Sequence, residues 1–87
     1  MRPLVLVGKA DCPLCDEARE VVARVAAEFG LEAERVDVAS EPGLERYRDQ
    51  VPVVLWKGRP VAKLRVREGV LRRRLKEESE AARDERA

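Results

Sequence analysis

The sequence lacks histidine, threonine and asparagine, and its only serines are Ser40 and Ser79. Without histidine, the chain cannot form a serine–histidine hydrolase centre or a histidine-liganded metal site. Its two cysteines leave a tetrahedral zinc site half empty unless Asp11, Asp16 or a second subunit contributes ligands. We therefore predict no bound metal and no other cofactor.

The chain also lacks an excess of positive or of negative charge. The 87 residues carry 18 Lys and Arg against 17 Asp and Glu, so the formal net charge is +1. A nucleic-acid partner is not expected, because binding to phosphates needs a one-signed basic face. The longest apolar runs, residues 3–8 and 51–56, are far shorter than the ~18–20 residues of a membrane span or the core of a signal peptide. We expect one cytoplasmic, monomeric domain over residues 1–87, with no membrane partner.

Hydrophobic periodicity organises the first half of the chain. Residues 4–7 form an uninterrupted apolar run, which is typical of a strand buried on both faces of a sheet. Apolar residues then recur at helical spacing over residues 15–29, and Gly30 is the predicted helix stop. A second strand is predicted over residues 31–38. These three elements form one crossover unit, which should be right-handed with parallel strands.

The second half begins with a predicted short helix over residues 41–48, capped by Ser40. A strand follows over residues 51–56, with Pro52 at its start because proline cannot donate to a strand ladder. A tight turn leads into an edge strand over residues 61–66, where exposed and buried positions alternate.

A final helix is predicted from Glu68, with Val70, Leu71 and Leu75 facing inward and residues 77–87 as its charged, partly frayed end. The element order is β-α-β-α-β-β-α. A crossover unit joined to a hairpin gives a four-stranded mixed sheet covered by helices. The sequence therefore predicts the α/β class and a thioredoxin-like arrangement.

Both cysteines lie in one motif, Cys12-Pro13-Leu14-Cys15, between the first strand and the first helix. This position places Cys12 at the helix start, where backbone N–H groups lack partners and the helix dipole is positive. Both effects favour a thiolate, so we expect the pKa of Cys12 to be lowered from about 8.5. Lys9 acts in the same direction. Cys15, one turn later, points along the buried face and is predicted to be the resolving thiol.

Three other interpretations of the pair remain open. A purely structural disulfide would close a very small loop and constrain little of the unfolded chain. Half of an intersubunit metal or iron–sulfur site would use thiolate ligands but needs further ligands that the chain does not offer. A non-catalytic docking module would leave the cysteines incidental. Thiol–disulfide chemistry is the favoured interpretation.

The segment from Lys9 to Ala18 resembles the active site of the glutaredoxin family, especially short bacterial glutaredoxin-like proteins with a C-x-L-C-D-x-A pattern. The similarity continues through residues 36–38 and 51–53 and covers most of residues 3–76. The resemblance implies a thioredoxin fold, a redox dithiol at Cys12 and Cys15, and a cis peptide before Pro52 that faces the dithiol. It also implies a thiol–disulfide oxidoreductase.

Two positions depart from the family pattern. Leu14 replaces the usual aromatic residue, and residues 65–69 replace the Gly-Gly-Asp/Ser segment that holds glutathione. Specific glutathione recognition is therefore not expected. The predicted partners are protein or small-molecule disulfides and an unidentified thiol reductant, and the predicted substrate-binding residues are Lys9, Pro13, Leu14, Val51 and Pro52.

Two further features are predicted to be structural. Arg72, Arg73 and Arg74 would fan around the last helix and form a solvated face. Tyr47 and Trp56, two of the three aromatic residues, are expected to pack in the core or at its rim.

Overall fold

Four strands and two helices follow one another in the computed structural model, which describes residues 3–86, with side chains described up to Glu80. The elements are β1 (Leu4–Gly8), α1 (Pro13–Glu28), β2 (Ala33–Asp37), β3 (Val53–Trp56), β4 (Arg59–Lys63) and α2 (Glu68–Arg86). Within this range no helix is both long enough and apolar enough to cross a membrane.

The strands form one mixed sheet in the order β2-β1-β3-β4. β1 is parallel to β2 and antiparallel to β3, and β4 is antiparallel to β3. Val7 pairs with Val36 on one side and with Val53 on the other. The predicted crossover unit and hairpin are confirmed, and β1 is the central strand that the continuous apolar run indicated.

The core has two parts, one on each face of the sheet. On the first, which we call the helix face, Leu4, Leu6 and Trp56 pack with buried residues of α1 and α2. On the second, the loop face, Val5 and Val7 of β1 and Val53 and Leu55 of β3 pack with side chains of the segment that leads from β2 to β3, including Leu44 and Tyr47. Tyr47 and Trp56 are both buried, as predicted.

Helix α1 is bounded by the residues that the sequence indicated. Pro13 occupies its first turn, where a missing N–H does no harm. Gly30 follows its end with a φ of 67°, and the N–H of Leu31 donates to the carbonyl of Ala26 at 2.9 Å. Glycine adopts this left-handed conformation without strain, so the helix stops here.

The predicted helix over residues 41–48 is wrong. A single turn of 3₁₀ helix, Glu45–Tyr47, replaces it. Gly43 has a φ of 92°, which a right-handed helix cannot include. The Ser40 hydroxyl donates back to the carbonyl of Asp37 at 2.8 Å and caps no helix. The loop face is therefore covered by an irregular segment.

The edge strand was predicted over residues 61–66, but β4 begins earlier and ends at Lys63. Lys57 and Gly58 have φ values of 51° and 84°, the pattern of a two-residue hairpin turn, so pairing resumes at once. The strand ends because Leu64 has a φ of 66°.

Helix α2 begins at Glu68, as predicted. Leu71 and Leu75 are buried, but Val70 is 40% exposed, so its predicted inward position is wrong. Leu71 and Leu75 are one turn apart and share a face, whereas Val70 lies about 100° away around the helix. The predicted fraying over residues 77–87 stays a prediction, and its last residue lies outside the described range.

Candidate dithiol site

Cys12 is the N-cap of α1, as the sequence predicted. Its backbone is extended, with φ −120° and ψ 100°, and its Sγ accepts a hydrogen bond from the backbone N–H of Cys15 at 3.1 Å. The carbonyl of Cys12 accepts from the N–H of Asp16 at 3.1 Å. The first turn of the helix thus directs an N–H group, and the positive end of the helix dipole, towards the Cys12 sulfur.

The two cysteines are paired as a disulfide, with their Cα atoms 5.2 Å apart. That separation lies within the range in which a disulfide closes without backbone movement. Cys15 is 4% exposed and Cys12 is 9% exposed. Cys12 is therefore less accessible to solvent than its place at the helix start suggested. In the oxidised pair the two cysteines have similar exposure, but only the Cys12 sulfur accepts the N–H of the helix turn.

Gly8 is a site residue that the sequence alone did not single out. A Cβ at this position would lie 3.4 Å from both the Cβ and the Sγ of Cys15. The end of β1 therefore packs directly against the second cysteine. The sequence does contain a signal for this contact. A glycine that stands between a buried strand and a Cys-x-x-Cys motif indicates that another group closely approaches the backbone there.

Pro52 lies at the same end of the sheet as Gly8 because of the way in which β1 and β3 pair. Val7 pairs with Val53 in antiparallel strands, so Pro52 lies across from Gly8, which contacts Cys15. The Val51–Pro52 peptide bond is cis, as the resemblance implies. Val51 belongs to the buried cluster that contains both cysteines.

The predicted substrate-binding residues divide into two groups by exposure. Lys9, Pro13 and Leu14 are exposed, with Leu14 at 43%. Val51 and Pro52 are buried, and the Pro52 carbonyl already accepts a hydrogen bond from the N–H of Leu64.

Leu64 is an additional exposed apolar residue next to this site, and the sequence analysis placed it inside a strand. Its N–H donates to the carbonyl of Pro52 at 2.9 Å, and the residue is 54% exposed. Its positive φ, which the sequence does not indicate for a leucine, ends β4 here.

The segment that replaces the glutathione-holding glycines contains both exposed and ion-paired charges. Arg65 and Arg67 are exposed. The Glu68 carboxylate accepts hydrogen bonds from Arg24 at 2.9 Å and from Arg72 at 3.0 Å. These guanidinium groups, Arg24 first, hold the pKa of Glu68 below its ordinary value. Glu68 therefore links α2 to α1.

Arg72 lies on the predicted solvated face, with 41% of its side chain exposed, but it also forms ion pairs. Its side chain is half-buried and also donates to Glu28 at 2.7 and 2.8 Å, which joins the two helices. Arg73 and Arg74 are exposed, as predicted.

A metal site is not apparent at the dithiol. Among the side chains that the structure describes, no group of three or more Cys, Asp or Glu residues is placed to hold a metal ion. A metal or cluster bound by Cys12 and Cys15 would need ligands beyond this set.

Comparison with known families agrees with this geometry. A model of the glutaredoxin-like domain matches residues 3–76. The chain belongs to the glutaredoxin-like domain family. None of the curated protein sequences is significantly similar to it. The match spans the four strands, α1 and the first half of α2, and includes the cysteine pair.

Solved structures show that this glutaredoxin-like chain has a thioredoxin-like fold. Thioredoxin 1 from Thermosipho africanus TCF52B superposes with a TM-score of 0.67 at 16% identity, over 92% of this chain and 97% of that one. The glutaredoxin (grx-1) from Archaeoglobus fulgidus superposes with a TM-score of 0.58 at 22% identity, over 86% and 87%. The predicted fold class is confirmed.

Proposed function

We propose that this glutaredoxin-like chain is a thiol–disulfide oxidoreductase that reduces or exchanges disulfides through Cys12 and Cys15. The observation that carries the proposal is the hydrogen bond from the N–H of Cys15 to the Sγ of Cys12 at the N-cap of α1. When the pair is reduced, this donor and the helix dipole stabilise a negative sulfur more than a neutral one. A thiolate there is both the attacking nucleophile and a good leaving group.

The reaction has two exchange steps. The Cys12 thiolate attacks a substrate disulfide, which forms a Cys12–substrate disulfide and releases one substrate thiolate. The Cys15 thiolate then attacks the Cys12 sulfur, which releases the second substrate thiol and leaves the Cys12–Cys15 disulfide. Two electrons pass to the substrate, and an external dithiol or two external thiols return them.

The exposed residues next to the motif provide the contact surface in this proposal. Pro13 and Leu14 offer apolar contacts beside Cys12, and Lys9 offers a positive charge. Val51, in the same buried cluster as both cysteines, and the neighbouring Pro52 would complete the binding site behind them.

Trapping with single-serine variants tests the mechanism. Cys15→Ser should accumulate mixed disulfides through Cys12, because the resolving thiol is missing, whereas Cys12→Ser should accumulate none. Mass spectrometry after incubation with a disulfide-bonded peptide measures the adduct. Equal trapping by both variants, or none by either, would contradict the proposal. Iron or zinc bound at one equivalent per two chains after purification would instead support a metal carrier.

The choice of partner thiol needs a separate test. Glycines that let backbone amides approach glutathione are absent, and Arg67 and Glu68 stand in their place. We expect turnover of a glutathione mixed disulfide to be no faster than turnover of a protein disulfide of similar potential. A strong preference for the glutathionylated substrate that disappears in Arg65→Gln, Arg67→Gln or Lys9→Gln would show that these charges hold glutathione.

A further inference from the structure

A basic groove lies on the loop face. Its volume is about 410 Å³, and it runs between the 3₁₀ turn and the β3–β4 hairpin. Arg46, Arg59 and Lys63 line it, and none of its lining residues is acidic. In a chain whose net charge is only +1, this is a local concentration of positive charge.

The three cations differ in how they are held. The Arg59 guanidinium forms an ion pair with Glu78 of α2, which cancels one charge. The Arg46 guanidinium lies over the Tyr47 ring, 4.9 Å from its centroid, and this contact leaves its charge uncompensated. Among the described side chains, no carboxylate forms an ion pair with Arg46 or Lys63. The three cationic side chains, together with the carboxylate that pairs with Arg59, give the groove a charge of +2.

Gln50 provides an independent observation in the same groove. Its Oε1 is buried and accepts no hydrogen bond within the described part of the chain. A buried amide oxygen without a partner is unfavourable, so such a group indicates a missing donor. If the amide is turned over, its NH₂ group needs an acceptor instead. In either orientation the wall of the groove contains a polar group whose hydrogen-bonding capacity is unused, and contact with a ligand requires this side chain to turn outward.

We propose that this groove binds a phosphate group, carried by inorganic phosphate or by a small phosphate monoester. Phosphate has a charge of about −1.5 to −2 at pH 7, which matches the +2 of the groove, whereas a monocarboxylate would neutralise only half of it. Arg46 and Lys63 bind the phosphate oxygens. Gln50 completes the site with its amide turned over, because its NH₂ group then donates to a phosphate oxygen.

This assignment can be tested by nuclear magnetic resonance titration of the whole protein at constant ionic strength. Inorganic phosphate and methyl phosphate are the two probes that separate a free from an esterified source, and acetate is the carboxylate control. We expect saturable shifts of the backbone amides of Gln50, Gly58 and Lys63 with phosphate and much weaker shifts with acetate. Shifts that do not saturate, or that are equal for acetate, would overturn the proposal.

Charge variants supply the matched comparison. The double variant Arg46→Gln and Lys63→Gln should bind phosphate about tenfold or more weakly, because each charged hydrogen bond is a strong one. Arg73→Gln with Lys76→Gln removes the same charges from exposed positions on α2 and should bind as the original chain does. Equal weakening in both pairs would show a general charge effect and overturn the site.

A neutral variant tests the buried amide. Gln50→Met keeps the side-chain length and all charges, and we expect it to weaken phosphate binding while leaving the far-ultraviolet circular dichroism spectrum unchanged. Undiminished phosphate affinity in Gln50→Met would overturn the three-residue site. Disulfide exchange through Cys12 is a separate readout, so failure of this proposal and failure of the proposed oxidoreductase function are distinguishable.

Discussion

Cys12 and Cys15 occupy different positions relative to the first turn of α1, although only two residues separate them. Cys12 Sγ accepts a backbone N–H, and Cys15 packs against Gly8. Their exposures, 9% and 4%, are too similar for access alone to decide reactivity. Thiolate stabilisation at the N-cap should therefore make Cys12 the reactive thiol.

Alkylation of the reduced protein near neutral pH should consequently modify Cys12 several times faster than Cys15. Peptide mapping by mass spectrometry after short exposure to iodoacetamide gives the two rates. The unfolded protein in urea is the control, since both thiols should then react alike. Equal rates in the folded protein would contradict the assignment of roles.

Gly8 determines how closely β1 approaches Cys15. A single Cβ there would touch Cys15 at 3.4 Å, so Gly8→Ala should fold with little change. The branched side chain of Gly8→Val should overpack the site, lower the free energy of unfolding by about 1–3 kcal/mol and slow disulfide exchange. Urea unfolding and an exchange assay measure the two effects.

Gly69 is the matched control for this series. A Cβ at Gly69 meets no atom within 4 Å, and the residue lies in the first turn of α2. Gly69→Ala should leave exchange unchanged and stabilise the protein slightly, because alanine favours helix. A Gly8→Val variant as active and as stable as the original would show that the contact with Cys15 is unimportant.

At the scale of elements, α2 is held to the sheet by one face only. Leu71 is fully buried and Val70, its neighbour, is 40% exposed. Leu71→Ala should lower the free energy of unfolding by about 2–5 kcal/mol, because it removes buried methyl groups and leaves a cavity. Val70→Ala should change it by less than about 0.5 kcal/mol. Urea denaturation measures both, and similar losses would contradict the observed helix orientation.

The ion pairs between α1 and α2 should make stability depend on pH. Hydrogen bonds from Arg72 lower the pKa of Glu28, and those from Arg24 and Arg72 lower that of Glu68, both from 4.5. A carboxylate whose native pKa is depressed stabilises the fold fully above its unfolded pKa. The contribution is lost as pH falls below 4.5 through the native value.

Arg72→Gln removes the shared partner of both carboxylates. Its free energy of unfolding should therefore fall less steeply than that of the original chain as pH drops below 4.5. Urea unfolding at a series of pH values measures the difference, with Arg73→Gln as the control of equal charge. Parallel curves for Arg72→Gln and the original chain would contradict a role for these pairs.

At the scale of the whole molecule, the two halves of the core share their strands. β1 and β3 contribute alternate residues to the helix face and to the loop face. The single Trp56 lies on the helix face, and the single Tyr47 lies on the loop face. Each face therefore has its own optical probe.

Unfolding of the oxidised protein should be a single cooperative transition, because neither face can separate while β1 and β3 remain paired. Urea curves followed by Trp56 fluorescence and by Tyr47 absorbance should have the same midpoint. A Phe variant of each residue identifies the source of its signal. An earlier Tyr47 transition would show that the irregular segment on the loop face unfolds independently.

Local patterns in the sequence were sufficient to predict the central strand, the bounds of α1, the start of α2 and the position of Cys12 at a helix N-cap. Each of these depends on interactions between residues close in the chain: a continuous apolar run, proline at a helix start, glycine at a helix end. The Cys-x-x-Cys spacing with its family pattern was sufficient to predict the fold and the candidate site.

Features that depend on contacts between distant residues were set by the packing of the elements. Gly8 meets Cys15, Arg72 joins Glu28 to Glu68, and Gln50 lies among cations from the hairpin only after the elements pack. The false helix over residues 41–48 has the same origin, since its apolar residues were available to helix and loop alike. Packing of Leu44 and Tyr47 against the loop face, together with the left-handed Gly43, selected the loop.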